Sequence, residues 1–439
     1  MEKFKLPSIH VPPLTLPDSV RSVMTRAEEK LAHRPRLLRQ FLNCYPNTLE
    51  TATKLTDDGT TFVLTGDIPA MWLRDSVEQM IHYVPLAAED PGLQRILSGL
   101  IRRHVRCILI DPYANAYNES PNDWHWDASD VTEMGPWAWE RKFELDSICF
   151  SMRLAYKYWR ATKRSDIFDD SFKEAIRTIL ALWRTEQRHM ERSPYRFERD
   201  CGMLTETLLN EGRGLPVNFT GMIWSGFRPS DDACEFHYNI PGNMFAAVVL
   251  GYMREMAMEA YRDEKLASQL ARLEEEIKHG IRLYGTYLHP EFGRIYAYET
   301  DGFGNYCLMD DAGTPGLMSI PYLGFTACDD PIYLNTRRFA LSTGNPYYFE
   351  GVAAKGIGSP HTPLRYVWPM ALSMQGLTAV SADEKRRMVD MLEATDADTG
   401  FMHEGFHADD PAQYTRSWFC WSNSLFAQLV YDGMEKQWL

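Results

Sequence analysis

Apolar side chains recur along this chain with helical spacing from near its start to its last residues. In 91–110, Leu93, Ile96, Leu97, Leu100, Ile101, Val105, Ile108 and Leu109 follow the i, i+3, i+4 rhythm that turns one helix face to a core. Asp90 ahead of Pro91 supplies an acceptor for an orphan backbone N–H and a first-turn residue that needs no N–H of its own. Ser381-Ala-Asp-Glu384 has the spacing of a capping box ahead of Met388, Met391 and Leu392. The last pattern, 417–434, carries Trp418, Trp421, Leu425 and Leu429. Similar patterns over 19–32, 36–53, 75–88, 140–162, 170–191, 242–262, 264–285, 329–342 and 366–379 predict about twelve helices in all.

Between the helices, short turns alternate with long segments rich in Gly, Pro, Asp and aromatics, over 56–74, 111–139, 193–241, 286–328, 343–365 and 397–416. Loops of that length in a compact protein usually carry function. Helix pairs separated alternately by short and long loops predict a closed ring of helical hairpins with the long loops at one mouth. Strand signals are short and lie inside those loops: Thr61-Phe-Val-Leu64, Arg294-Ile-Tyr-Ala-Tyr298 and Tyr347-Tyr-Phe349. No charge run or Ser/Gly linker divides the chain, so one domain over 1–439 is expected, with 1–40 as an N-terminal extension and first helix.

Composition narrows the function classes. The 439 residues include 60 acidic and 46 basic side chains, a formal net charge of −14, which argues against a nucleic-acid partner because phosphate neutralisation needs clustered Lys and Arg. Eight cysteines without C-x-x-C spacing predict neither a disulfide framework nor a structural zinc site. No apolar run suits a signal peptide or a membrane span, so a cytoplasmic protein with no membrane partner is expected, in which the sequons at Asn118 and Asn218 stay unmodified. Aromatic residues make up 13% of the chain, many beside polar neighbours. Such faces suit sugar rings, although a large helical core also uses aromatics as filler.

Four segments carry candidate chemistry. Gly66-Asp-Ile-Pro-Ala-Met-Trp-Leu-Arg-Asp75 packs Asp67, Trp72, Arg74 and Asp75 ahead of a helix start; a simple cap with one structural ion pair would look the same. In Trp224-Ser-Gly-Phe-Arg-Pro-Ser-Asp231-Asp232, two adjacent carboxylates beside Trp224 and Phe227 have the ingredients for raising one pKa, as a general acid requires. Spacing alone better fits a helix cap with two solvated carboxylates. His403-Glu404-Gly-Phe-His407 matches H-E-x-x-H, in which two His one helical turn apart bind zinc. Gly405 inside that motif, Gly400 before it and Pro411 after it disfavour the continuous helix that zinc binding requires. A loop carboxylate at Glu404 acting as a general base for water is the competing reading. Ser359 and His361 sit in a rigid loop, Gly356-Ile-Gly-Ser-Pro-His-Thr-Pro363.

Taken together with Ile110-Asp-Pro-Tyr-Ala-Asn-Ala116, Tyr298-Glu-Thr-Asp-Gly302 and Trp421-Ser-Asn-Ser-Leu-Phe426, these segments resemble glycoside hydrolase family 125, the metal-independent exo-α-1,6-mannosidases. The resemblance runs from about residue 40 to 430. It implies an all-α (α/α)6 barrel and an inverting hydrolase that releases terminal α-1,6-linked mannose without metal or other cofactor, from a mannose-containing oligosaccharide. By position it implies Asp231 as general acid and Glu404 as general base. Asp67, Arg74, Asp75, Asp232, Ser359 and His361 are expected to hold mannose hydroxyls, with Trp72 and Trp224 as walls. A zinc peptidase using His403, Glu404 and His407 and a mannoside-binding protein without activity are the alternatives.

Overall fold

The computed structural model describes residues 9–439 and is mostly helical. Two kinds of helix appear, and the sequence explains both. Asp18–Lys30, Asp170–Glu186, Glu264–Tyr284 and Ala382–Ala394 bury one apolar stripe; Ala382–Ala394 buries only Met388, Val389 and Leu392. Leu145–Thr162, Ile240–Glu259, Pro369–Leu377 and Cys420–Glu435 are enclosed over most of their circumference, because small or apolar residues occupy nearly every face.

The enclosed helices touch in succession. Leu73–Glu78 packs on Leu145–Thr162, that helix on Ile240–Glu259, and the latter on Ile320–Leu323. The turn Leu317–Ser319 contacts Pro369–Leu377, which packs on Cys420–Glu435, and this last helix returns to Leu73–Glu78. Amphipathic helices lie outside: Glu264–Tyr284 covers Ile240–Glu259, and Ala382–Ala394 covers Pro369–Leu377. One cluster of buried apolar side chains runs through this assembly from Val20 to Trp438.

Element boundaries depart from the periodicity where proline intervenes. The 36–53 pattern divides into Pro35–Cys44 and Asn47–Thr51 at Pro46, which has no N–H to donate. The 75–88 pattern divides into Leu73–Glu78 and a 3-10 segment, Ile81–Ala88, that contains Pro85. Asp90 caps as expected, its Oδ1 accepting from Leu93 N at 3.1 Å. The capping box at Ser381 does not form: the helix starts there, but Glu384 Oε1 accepts instead from Arg337 Nη2 at 2.7 Å and Gln375 Nε2 at 2.9 Å. A guanidinium outcompetes a neutral backbone N–H for a carboxylate.

The three anticipated strands occur as Thr61–Val63, Gly293–Tyr296 and Tyr348–Glu350. Further short strands build small antiparallel sheets of two or three strands in the long loops. All eight cysteines are free thiols, five of them buried. No helix among the described residues is long and apolar enough to cross a membrane.

Candidate active site

Two segments far apart in sequence meet at the site. Strand Met71–Trp72 pairs with Ala116–Tyr117 and turns directly into Leu73–Glu78, which buries Arg74 and Asp75. Upstream, Gly66 has φ 134°, and a Cβ there would stand 2.6 Å from the Trp418 carbonyl oxygen, so glycine is required for the approach. Beside it, Asp67 accepts from Arg416 Nε at 3.0 Å and 3.3 Å, joining residues 349 positions apart.

A small pocket opens next to this junction. Of the residues anticipated from sequence, Trp72, Arg74, Asp75, Asp231, His361 and Glu404 line it; Trp368, Arg416, Phe419 and Trp421 complete its wall. Asp67 stands behind Arg416, and Ser359 is buried, its Oγ accepting from His361 N at 3.2 Å. Trp224 is no wall of the pocket. It is fully buried, stacked between His189 at 3.5 Å and His237 at 4.7 Å between ring centroids, so its apolar area serves the core.

The adjacent pair Asp231 and Asp232 is split by a tight turn in which Asp231 N donates to Arg228 O at 2.9 Å and Arg228 N to Asp232 O at 2.7 Å. Asp231 takes φ 70°, a left-handed conformation that costs a non-glycine residue on the order of 1–2 kcal/mol and tends to persist at functional sites. The turn sends Asp231 to the pocket and leaves Asp232 1% exposed, its Oδ1 3.2 Å from His361 Nδ1.

Charge is concentrated around Arg74. Its Nη1 donates to Glu144 Oε2 at 2.7 Å and Asp146 Oδ2 at 3.1 Å, its Nη2 to Asp231 Oδ1 at 3.2 Å, and Nε lies 3.9 Å from Asp75 Oδ2. Burial, reinforced by Asp231, pushes Asp75 up to about 6 against the opposing pull of Arg74. Burial also raises Glu144 well above the usual carboxyl range, with Asp231 adding to it. Burial would raise Asp231 as well, but a hydrogen bond from Glu144 and the charges of Arg74, Lys142 and His361 outweigh it and hold Asp231 below the ordinary range. Against its own burial, His361 is raised to about 9 by Asp232, then by Asp231 and Glu404.

Glu404 precedes strand Gly405–His407 and stands 3.5 Å from Arg416 Nη1. That strand pairs with Tyr366–Val367 and Asp410–Thr415, which overturns the zinc-peptidase reading: alternation along a strand does not set His403 and His407 one helical turn apart. His403 instead stacks on Tyr414 at 3.7 Å and places Nδ1 3.2 Å from Arg416 O. Glu206, Asp232 and His361 also lie close together, but Lys142 and Arg199 already neutralise Glu206 at 2.8 and 2.9 Å, and His361 already pairs with Asp232. This donor set is a poor fit for a metal.

Sequence reasoning missed Arg416, Glu144, Asp146 and Trp368. Arg416 alone left a trace, in lying beside the aromatic run Trp418-Phe-Cys-Trp421.

Residues 34–431 match the family described as metal-independent alpha-mannosidase (GH125). The chain belongs to GH125. A Streptococcus pneumoniae member, from a family of metal-independent alpha mannosidases and solved as a non-productive substrate complex with alpha-1,6-mannobiose, is 44% identical with a TM-score of 0.93, covering 95% of this chain and 98% of that one. The Meiotically up-regulated gene 157 protein of Schizosaccharomyces pombe is 39% identical over 441 residues, 95% of this chain and 86% of that protein. A glycosidase at 12% identity and TM-score 0.51 shares the fold alone, covering 95% of this chain and 97% of that one. Membership in GH125 makes the protein a metal-independent α-mannosidase, a glycoside hydrolase.

Proposed function

We propose that this protein is an exo-acting, inverting α-1,6-mannosidase, with Asp231 as general acid and Glu404 as general base, built on an (α/α)6 barrel. The succession of enclosed helices that returns from Cys420–Glu435 to Leu73–Glu78, with amphipathic helices outside, supports the barrel. The observation that carries the reaction is that Asp231 and Glu404 line one small pocket, each against its own guanidinium, Arg74 and Arg416. Two carboxyl groups across a scissile glycosidic bond are the apparatus of glycoside hydrolysis, and a water-activating base opposite the acid gives inversion. The pocket's small size suits a single terminal sugar, and the mannobiose complex of the Streptococcus pneumoniae relative points to the linkage.

In this mechanism Asp231 gives its proton to the glycosidic oxygen while Glu404 removes one from a water attacking the anomeric carbon. Trp72, Trp368 and Trp421 present apolar surface to the C–H face of the ring. Among the described residues the buried Arg74 Nε, Trp72 Nε1 and Trp421 Nε1 have no hydrogen-bond acceptor in the chain, and sugar hydroxyls would satisfy such donors. Incubation with α-1,6-mannobiose, followed by NMR of the anomeric protons, tests the proposal: β-mannose appears first. Release of α-mannose refutes inversion, and binding without hydrolysis favours a mannoside-binding protein.

A further inference from the structure

One buried guanidinium faces four carboxyl groups in this site: Arg74 contacts Glu144, Asp146, Asp231 and Asp75. Fully ionised, that cluster would set four carboxylates against one guanidinium, with Asp75, Glu144 and Asp146 out of water and only Asp231 partly exposed, an arrangement proteins ease by protonating a member. Lys142 and His361 add positive charge near Asp231, but their side-chain partners are other carboxylates. Lys142 reaches the backbone carbonyl of Asp231 and the carboxylate of Glu206, and His361 pairs with Asp232.

Glu144 is the member placed to hold the proton. It occupies the residue before the Leu145–Thr162 helix, yet its side chain does not cap that helix. Instead Oε2 accepts from Arg74 Nη1 at 2.7 Å and from Ser147 Oγ at 2.8 Å, Oε1 lies 3.3 Å from Asn115 Nδ2, and the carboxyl shares the guanidinium with Asp231, whose Oδ1 stands 3.2 Å from Nη2. Two carboxyl groups hydrogen-bond only when one carries a proton. We propose that Glu144 stores the catalytic proton in the resting enzyme and relays it to the glycosidic oxygen through Asp231, acting as a positioning residue for the acid. The inference rests on the assignment of Asp231 above. Burial raises Glu144, and Glu144 in turn helps hold Asp231 low, which agrees with this distribution of one proton over the pair.

The step balances. The single proton moves from Glu144 to Asp231, and as the bond between the anomeric carbon and the glycosidic oxygen breaks, the oxygen's electron pair takes it from Asp231, leaving both carboxyl groups ionised. Water adds to the anomeric carbon and gives its proton to Glu404. That proton passes to solvent, and one from solvent returns to the pair.

The test compares Glu144→Gln with wild type on α-1,6-mannobiose, whose leaving group needs protonation, and on α-mannosyl fluoride, whose leaving group does not. Expected for E144Q is a kcat loss on the order of 10² on mannobiose and less than tenfold on the fluoride, with the basic limb of the mannobiose profile moved at least one pH unit downward, since Asp231 must then hold the proton alone. Equal losses on both substrates mean a structural role and overturn the relay, as does an unchanged rate and basic limb. Glu144→Asp, a smaller change at the same buried place, withdraws the acid from Asp231; if E144Q does not fold, the same split between substrates is expected of E144D and equal losses overturn the relay. A wild-type enzyme that leaves mannobiose intact refutes the proposed function itself.

Discussion

His361 Nδ1 lies 3.2 Å from Asp232 Oδ1, so the second of two adjacent carboxylates is tied to an imidazole while Asp231 is the one on the pocket wall. The chemistry of the two side chains is identical, and only the turn at 228–232 separates their environments. Asp231→Asn and Glu404→Gln are therefore expected to lower kcat by about 10²–10⁴ while retaining the wild-type circular dichroism and melting profile. Steady-state kinetics on mannobiose checks this; a near-wild-type rate for Glu404→Gln removes it as the base.

The pairing of His361 also fixes the sign of a pH effect. Its pKa is raised from 6.5 to about 9 in the folded protein, so the folded state binds the proton more tightly than the unfolded chain. The resulting stability is fully present below 6.5 and disappears as pH rises through about 9. The melting temperature of the wild type should fall relative to that of His361→Gln between pH 6.5 and 9, with the difference constant below that window. Parallel curves across the whole range contradict the assignment.

Arg416 binds Asp67 through two nitrogens and faces Glu404 with Nη1 at 3.5 Å, a geometry lysine cannot reproduce. Arg416→Lys should reduce kcat/KM on mannobiose at least tenfold. In a double-mutant cycle with Asp67→Asn the coupling energy is expected near 1 kcal/mol, modest because both side chains are partly solvated. Strict additivity of the two losses removes Asp67 as the residue that orients Arg416.

Trp224 and Trp421 should fail in different ways. Trp224→Ala leaves a cavity between two histidine rings, and urea denaturation should show a loss of about 3–5 kcal/mol with KM within twofold of wild type in the folded fraction. Trp421→Ala, on the pocket wall, should raise KM by more than that. A raised KM in the first variant would return Trp224 to the site.

The helices were largely legible because amphipathic stripes and the Asp90 cap are local: Leu93, Ile96 and Leu97 state their face within one turn. Pro46 and Pro85 broke patterns that hydrophobicity alone continued. The misses are tertiary. Nothing near Ser381 announces that Arg337 will claim Glu384, and nothing near Trp224 tells an aromatic filling the core from one facing a sugar. The carboxylates Asp231 and Glu404 were legible through extended motifs, whereas Glu144 and Arg416 gain their meaning from partners dozens to hundreds of residues away.

The bond between Asp67 and Arg416, with Gly66 pressed against Trp418 beside it, bears on the order in which the molecule is made. A ribosome must add the 349 residues that follow Asp67 before Arg416 exists to meet it. Trp421 and the helix Cys420–Glu435, which packs against Leu73–Glu78, come later still. The segments between can collapse during translation, but the pocket waits for Arg416 and Trp421, so a nascent chain, or one terminated ahead of them, lacks part of its wall.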